Sequence, residues 1–218
     1  MQHDIDIRGF GYRLRPVVEA DSEFILSLRT NATLARYVHR VTGRLEDQLA
    51  WFHSYCNREG DWYWIIERDD GTPEGTTGLY NFLESSLTVE WGRWILAPSS
   101  MGAFASAILI FKVAFEHLKV NEVYCQTLLL NRQVISFHDH FGLERKDLKK
   151  DVFEIDGRPC DAVIQAITRE RWLDIEPRME AKALRWARLW NKEGGHEPHA
   201  GKPESSGCGG AERGGKET

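Results

Sequence analysis

The feature that most constrains the fold is the stretch from Thr88 to Leu143, which predicts two strands joined through a long apolar helix. The first strand is Val89–Leu96, and the turn 98–102 (Pro-Ser-Ser-Met-Gly) follows it. Residues 102–118 then contain no proline, and the first charged residue among them is Lys112, as expected for a buried helix. A strand, a helix and a second strand in this order form a βαβ crossover, with both strands parallel in one sheet. The turn also precedes a helix start, where unpaired N–H groups and the helix dipole favour an anion such as a pyrophosphate.

The segments on either side of this crossover predict an α/β domain with a mixed (α+β) sheet. Strands are predicted at residues 12–17, 62–66, 75–82, 87–96, 123–129, 149–155 and 161–167. Helices are predicted from Asp21 or Ser22 onward and at residues 45–55, 102–118, 132–140 and 170–193. We expect one domain over residues 1–175 and a C-terminal helix over residues 176–193.

Residues 194–218 consist largely of Gly, Ser, Glu, Lys and Pro, with hardly an aliphatic residue. Such a composition cannot recover its ordering entropy by burial, so we expect a disordered tail. The preceding helix carries apolar side chains that could dock either on its own domain or on a partner subunit, and a homodimer is one arrangement this allows. Its apolar surface is predicted from Trp172, Leu184, Trp186, Leu189 and Trp190.

Composition excludes several classes of function. A formal net charge of -5 gives no field that would draw nucleic acid or an anionic membrane, so neither is expected as a partner. No apolar run is long enough to span a bilayer, and the first residues lack the pattern of a signal peptide, so a cytoplasmic location is expected. The four cysteines are scattered without C-x-x-C spacing, which favours free thiols over a disulfide framework, and no metal site is expected.

Several motifs resemble the GNAT acyltransferases, in the branch of the ribosomal-protein and aminosugar N-acetyltransferases. The most specific runs from Asn121–Cys125 through Asn131 to Phe141–Leu143, similar to the last core strand and helix of the family. Val89–Trp94 is similar to its fourth strand, and the resemblance covers Ile7 to Trp172. It implies a GNAT-like fold with splayed strands at the crossover. It also implies acetyl transfer from acetyl-CoA, as co-substrate, to a primary amine of a small-molecule acceptor.

Shorter motifs favour one subgroup. Trp51-Phe52, with Tyr63–Ile66 and Leu28–Asn31, looks closest to enzymes that acetylate nucleotide-linked amino sugars. The resemblance leaves two alternatives open. One is an N-acetyltransferase acting on protein N-termini or another amine, and the other is a catalytically degenerate GNAT-like binding module.

The family binds the cofactor pyrophosphate with an Arg/Gln-x-x-Gly-x-Gly/Ala loop. In this chain the arginine is absent and only Gly102 remains as glycine, so the loop is the least typical part of the resemblance. The alternative is a plain helix start capped by Ser99 or Ser100. The resemblance implies that the phosphates and the pantetheine arm contact Trp94, Ile95, Leu96, Met101, Gly102, Ala103, Phe104 and Asn131, the last of which could also cap the following helix.

Two residues are candidates for proton transfer. Glu90 is a carboxylate within an apolar strand beside the implied cofactor site, which suits a general base. An ion pair with Arg93 is not expected, because residues three apart point to opposite faces of a regular strand. His138 stands where the family commonly has a tyrosine that acts as the acid, and imidazole can donate a proton to a thiolate. The alternative for His138 is a packed or partly exposed helix residue.

The acceptor contacts implied by the resemblance are Arg29, Gln48, Trp64 and Tyr80. A guanidinium such as Arg29 can bind the pyrophosphate of a nucleotide sugar in bidentate fashion, whereas the alternative is a solvated cation at a helix end. A tryptophan such as Trp64 can stack on a base or sugar, but at this spacing it is more often a core residue.

Overall fold

The fold is a mixed β-sheet with helices on both faces. The computed structural model describes residues 3–37, 41–155 and 157–192, with the backbone alone described at residues 35 and 189–192. The strands are β1 (Ile7–Gly9), β2 (Tyr12–Pro16), β3 (Trp62–Arg68), β4 (Pro73–Leu83), β5 (Thr88–Leu96), β6 (Glu122–Leu128), β7 (Glu144–Ile155) and β8 (Arg158–Thr168). The helices are α1 (Ser22–Thr30), α2 (Leu45–Tyr55), α3 (Ala103–Lys112), α4 (Arg132–Phe141) and α5 (Arg169–Lys192). The tail over residues 194–218 lies outside the described residues.

The described strands form one sheet in the order β1-β2-β3-β4-β5-β6-β8-β7. Neighbours pair antiparallel except β5 and β6, which are parallel. That pairing covers only three positions, Thr88–Glu90 with Glu122–Tyr124, although β5 continues to Leu96 and β6 to Leu128. The predicted crossover and splayed strands are therefore confirmed.

Each face of the sheet has its own apolar cluster. The larger cluster lies under α3 and α5 and includes Trp64, Trp91, Phe111 and Trp172. The smaller one lies under α1 and α2 and consists of Val17, Ile25, Phe52, Tyr55, Tyr63 and Ile65. We call these the α3 face and the α2 face of the sheet.

A β-bulge in β5 decides which side chains reach each face. Opposite β4, the register shifts between Thr76/Ile95 and Gly78/Gly92, so β5 has one extra residue there. Arg93 takes the left-handed conformation at φ 51°, which is uncommon outside glycine and asparagine. The α3 face receives Val89, Trp91, Trp94 and Leu96. The alternation therefore changes phase between Trp91 and Trp94, as expected for a bulge.

Three parts of the fold differ from the sequence prediction. The hairpin of β1 and β2 adds a strand that was not predicted, because β1 has only three residues. The last hairpin is longer than predicted, and its second strand β8 lies beside β6, which leaves β7 at the edge. The helix α5 begins at Arg169 and runs through residue 175, so the expected boundary between domain and helix falls inside a continuous helix.

The helix α5 packs on its own domain. Its buried side chains are Trp172, Ile175, Met179 and Ala183, spaced three or four residues apart along one helix face. Of the predicted apolar surface, Trp172 is buried, whereas Leu184 and Trp186 are exposed, and the side chains of Leu189 and Trp190 lie outside the described residues. The Trp172 ring contacts Phe111, Phe115 and Phe141 at centroid distances of 5.3, 6.2 and 6.3 Å.

Within the described residues, the fold offers neither a membrane-spanning helix nor a group of metal-ligating side chains. None of the helices in these ranges combines the length and apolarity that crossing a bilayer requires. In the same ranges, no three His, Cys, Asp or Glu side chains are grouped so that they could hold a metal ion.

Candidate active site

Glu90 lies where β5 and β6 part. It pairs with Tyr124 at the last parallel position before the strands diverge, and its side chain is only 5% exposed. Tyr80, Asn81 and Gln126 donate to its carboxylate from the two neighbouring strands. The predicted base thus lies at the closed end of the gap that the resemblance assigns to the cofactor.

The three donors divide unequally between the two oxygens of Glu90. Asn81 Nδ2 and Gln126 Nε2 both donate to Oε2, at 2.9 and 3.1 Å. The Tyr80 hydroxyl donates to Oε1 over a longer 3.3 Å. Because a carboxylate oxygen can accept two hydrogen bonds, Oε1 is the oxygen with more capacity for a further donor.

The bulge brings Arg93 onto the same side of β5 as Glu90, which corrects the expectation that they point to opposite faces. The Arg93 guanidinium lies 4.4 Å from the centroid of the Tyr80 ring, and Tyr80 in turn bonds Glu90. Arg93 nevertheless pairs with Asp61, at 2.5 and 2.9 Å. The absence of an ion pair with Glu90 was expected, but the reason is the partner Asp61 and not strand alternation.

Gly92 makes room for this arrangement. A Cβ atom at this position would lie 2.1 Å from the Tyr80 hydroxyl oxygen. Glycine therefore lets the Tyr80 hydroxyl lie against β5 and reach Glu90.

The titratable groups next to Glu90 remain protonated near neutral pH. Burial, together with the charge of Glu90, raises the pKa of Tyr124 to about 12. The same two causes raise the pKa of Tyr80 and hold that of the Cys125 thiol well above its usual range. Glu90 is thus surrounded by neutral donors.

A cleft of about 440 Å³ opens beside this group. Tyr80 and Asn81, which both donate to Glu90, form one wall. The rest of the lining includes two cations and two anions, Arg58, Arg93, Glu59 and Asp61. The guanidinium groups of Arg58 and Arg93 also lie over the Trp51 ring, at 5.7 and 5.3 Å from its centroid. A polar ligand in this cleft would contact residues bonded to Glu90.

His138 is buried in an aromatic environment on the α3 face. Its ring lies 5.0 Å from Trp91 and 6.2 Å from Trp94, and the side chain is 3% exposed. Its Nδ1 lies 3.2 Å from Gln165 Oε1. The amide nitrogen of Gln165 donates elsewhere, to Ile135 O and to Asp139 Oδ1, so Oε1 is the acceptor and the His138 proton is on Nδ1.

Burial lowers the pKa of His138 to about 4. At neutral pH the ring is uncharged, and its one N–H proton is bonded to Gln165. No proton is available at Nε2 for a leaving thiolate. The structure therefore supports the alternative of a packed helix residue and gives no support to the predicted acid role.

The pKa of His138 predicts an acid-sensitive contribution to stability. Because its folded pKa of about 4 lies below the ordinary 6.5, the unfolded chain binds a proton between these values that the folded protein does not. Stability therefore falls as the pH falls through this window, by about 2 to 3 kcal/mol from pH 7 to pH 4.5. We expect His138→Gln to lose less free energy of unfolding than the unaltered protein over this range, as measured by urea unfolding. His140→Gln, at an exposed position on the same helix, is the control, and equal losses in all three proteins would contradict the prediction.

The N-cap of α3 is Gly102, with no side-chain cap bond, and not Ser99 or Ser100 as the alternative had it. Ser100 Oγ accepts from the Gly102 amide at 3.0 Å and donates to the buried Glu74 carboxylate at 2.7 Å. The first helical bond runs from Ser106 N to Gly102 O. The amides of Ala103 and the next two residues therefore precede the helical ladder. Ser100 supports the turn, and amides remain at the helix start for an anion.

Position 102 requires glycine because the Tyr12 ring lies close to it, and not because the backbone there has a positive φ. A Cβ atom there would lie 2.7 Å from Tyr12 Cε1. Met101 is 51% exposed, and Ala103 and Phe104 are partly exposed. The four predicted phosphate-contacting residues are thus together at the start of α3, beside the diverging end of β5.

The predicted pantetheine residues lie along the gap. Beyond Glu90, the backbone of β5 has no strand partner on the β6 side. On this stretch the Trp94 indole donates to Ser106 Oγ at 3.1 Å and contacts Phe137 at 4.9 Å, whereas Ile95 is buried and Leu96 partly buried. Asn131 caps α4, since its Oδ1 accepts from Val134 N at 3.4 Å.

The structure does not bring the four predicted acceptor residues together in one site. Tyr80 lines the cleft beside Glu90. Arg29 is on the last turn of α1, and its charge acts on Tyr63, a ring that Arg93 also contacts. Gln48 is 6% exposed, and its Nε2 has no hydrogen-bond partner among the residues that the structure describes.

Trp64 lies on the other face of the sheet. It is fully buried in the α3-face cluster, and its indole donates to Ile5 O at 2.8 Å. Such a ring has no surface for an acceptor, so the structure places it among the core residues, which the sequence allowed as the alternative.

Sequence reasoning missed Asn81 and Gln126 as partners of Glu90. A signal for Gln126 was present, because in Glu122–Leu128 the polar or amphipathic Tyr124 and Gln126 alternate with the buried Val123 and Cys125. Asn81 lacked such a signal, since asparagine near a strand end is common in turns.

Comparison with known proteins identifies the family. The sequence profile of the acetyltransferase (GNAT) domain matches residues 12–144. Apo FdhC, a nucleotide-linked sugar GNAT, is 29% identical with a TM-score of 0.70 over 84% of this chain and 99% of its own. Spermidine N-acetyltransferase from Vibrio cholerae, in complex with CoA and spermine, is 16% identical with a TM-score of 0.69 over 76% of this chain and 99% of its own. No curated protein sequence gives a match.

The profile covers more than half of the chain and includes both diverging strands, the turn before α3 and Glu90. The likeness to the spermidine enzyme shows the fold alone. The chain therefore belongs to the GNAT acetyltransferase family and is an acetyl-CoA-dependent N-acetyltransferase.

Proposed function

We propose that the enzyme acetylates the amino group of a nucleotide-linked amino sugar by direct attack, with Glu90 as the general base. One observation carries the proposal. A buried carboxylate, held by neutral donors, lies at the closed end of the gap between the diverging strands, and two of its donors, Tyr80 and Asn81, line a polar cleft. The relative FdhC, a nucleotide-linked sugar GNAT at 29% identity, supports the class of acceptor.

Glu90 moves the proton that direct attack releases. Its Oε1 takes the proton from the amine as the new C–N bond forms and the thioester bond breaks. A carboxylic acid is a much stronger acid than a thiol, so the same proton can pass on to the departing sulfur. This route does not need His138, whose proton is bonded to Gln165.

The residues of the gap suit acetyl-CoA, which supplies the acetyl group as a thioester. The amides of Ala103 and Phe104 would hold the pyrophosphate, with Gly102 letting the turn pass close to Tyr12 and with Met101 at the exposed edge of the turn. The unpaired backbone of residues 94–96 would bond the pantetheine arm as a neighbouring strand does. Asn131, at the start of α4, would contact the arm in addition to capping its helix.

The cleft suits an acceptor that is both anionic and hydroxylated. Arg58 and Arg93 line the cleft, and a phosphate group would exchange part of their pairing with Asp61 for bonds to its own oxygens. We also retain Arg29, Gln48 and Tyr80 as acceptor contacts, because all three belong to elements on the α2 face. A polyamine would need an excess of acidic groups, whereas the described lining carries Arg58 and Arg93 against Glu59 and Asp61.

The test is an acceptor screen that follows thiol release from acetyl-CoA. We expect turnover with a UDP- or dTDP-linked amino sugar, and a kcat/KM at least tenfold lower with spermidine or with a peptide that has a free N-terminus. A preference for spermidine or for the peptide would refute the proposed acceptor. Calorimetry with acetyl-CoA alone is the companion measurement, and no binding at millimolar concentration would point to a degenerate binding module.

A further inference from the structure

We propose that Asn81 and Gln126 are positioning residues that hold Glu90 Oε2, so that Oε1 faces the amine of the acceptor. This inference rests on the proposed base role of Glu90. Both amide nitrogens donate to one oxygen, at 2.9 and 3.1 Å, and they approach from β4 and β6 on opposite sides of β5. Two donors on one oxygen fix both the position of the carboxylate and the direction of the other oxygen. We call Asn81 and Gln126 the amide clamp.

The backbone of β4 is irregular at Asn81, the residue that it contributes to the amide clamp. The pairing of β4 with β5 shifts register between Tyr80 and Leu83, and Asn81 lies in this irregularity with φ 52°. Left-handed backbone at a residue other than glycine is uncommon, and asparagine tolerates it better than most. The second irregularity, at Arg93, lies on β5 three residues beyond Glu90. Glu90 is therefore bracketed by two departures from regular strand geometry, which often mark functional sites.

The chemistry of the clamp suits a base. A lysine or arginine in place of either amide would form an ion pair and oppose the uptake of a proton by Glu90. A neutral amide holds the carboxylate without adding charge. Arg93, a cation near this group in the part of the chain that the structure describes, is paired with Asp61 and separated from Glu90 by the Tyr80 ring.

The groups that face Glu90 do not obscure its titration. From β4 it is faced by Tyr80, and from β6 by Tyr124, with Cys125 next in sequence. All three keep their protons throughout the neutral range because burial and the Glu90 charge oppose their ionisation.

The experiment uses Gln126→Met and Asn81→Gly in the full chain. Methionine keeps the length of the Gln126 side chain without its donor, and glycine tolerates the left-handed backbone of Asn81. Asn121→Ala is the control, because Asn121 is exposed and its side-chain amide bonds Ser86 O, away from the Glu90 carboxylate. Rates are measured against pH with the amine that the acceptor screen identifies. The titration of the Glu90 carboxyl is followed separately by carbon-13 NMR, with Glu90→Gln used to assign the signal.

We expect each clamp variant to lower kcat about tenfold at pH 7 and to leave the Kd for acetyl-CoA unchanged. The acidic limb of the rate profile and the NMR titration should both move to higher pH by about one unit, because a hydrogen bond to the ionised carboxylate has been lost. A loss of rate without either shift would overturn the inference and leave a structural role. If no amine is turned over, the proposed function fails, and the NMR titration alone decides whether the clamp acts on Glu90.

Discussion

Replacing Glu90 by glutamine is expected to lower kcat by about 100- to 10,000-fold, the range typical for loss of a general base. The amide has nearly the shape of the carboxylate but cannot take a proton from the amine. Binding of acetyl-CoA should remain within about twofold of the unaltered enzyme, because Glu90 lies at the end of the gap and not along it. Both quantities are accessible, kcat from thiol release and Kd from calorimetry.

The dependence of the rate on pH distinguishes the loss of the base from a general loss of activity through misfolding. The acidic limb that Glu90 gives to the rate profile should disappear in Glu90→Gln, whereas the limb set by the acceptor amine should remain. Asn121→Ala, at an exposed position whose side chain bonds Ser86 O and not Glu90, should keep both the rate and the profile. Turnover of Glu90→Gln close to that of the unaltered enzyme would remove Glu90 from the base role.

Replacing Ala103 by glutamate is expected to weaken the binding of acetyl-CoA by about 10- to 100-fold. Two like charges about 4 Å apart near a protein surface repel by about 4 kcal/mol, and solvent and salt reduce this. The substitution places a carboxylate in the first turn of α3, where the phosphates are proposed to lie. A negative charge in a first turn favours the helix itself, so the midpoint of thermal unfolding should stay constant or rise slightly.

Ala103→Gln is the matched control, since glutamine has nearly the same size without the charge. Only the glutamate variant should recover affinity as the salt concentration rises. Equal weakening in both variants would mean that size, and not charge, is decisive. Unchanged affinity in both would place the phosphates away from this turn.

The parts of the fold that the sequence predicted are those set by local pattern. The helix Leu45–Tyr55 was predicted with its observed bounds because its apolar spacing is clear. The crossover was predictable because a strand and an uncharged run of helix length follow one another. The side-chain face was harder to assign, since alternation separates Tyr63 from Trp64 but does not say which of them points toward α2.

The parts that could not be predicted depend on pairing between distant segments. Nothing in the sequence of β7 and β8 says that the second strand of the hairpin, and not the first, lies beside β6. The bulge at Arg93 could not be predicted from the sequence either, because arginine rarely adopts the left-handed backbone conformation found there. The position of Glu90 was therefore predicted more fully than its surroundings, whose members come from β4 and β6 as well as β5.

The bulge reverses the phase in which the side chains of β5 alternate between the two faces of the sheet. Before it, odd-numbered residues such as Val89 and Trp91 face α3, and after it even-numbered ones such as Trp94 do so. Any insertion or deletion of one residue between these segments would exchange the faces of everything beyond it. In a variant that lost one residue here, Trp94 would leave its contacts with Phe137 and Ser106. The length of this strand is therefore constrained as tightly as the identity of Glu90 or Gly92, because one missing residue displaces every side chain beyond the bulge.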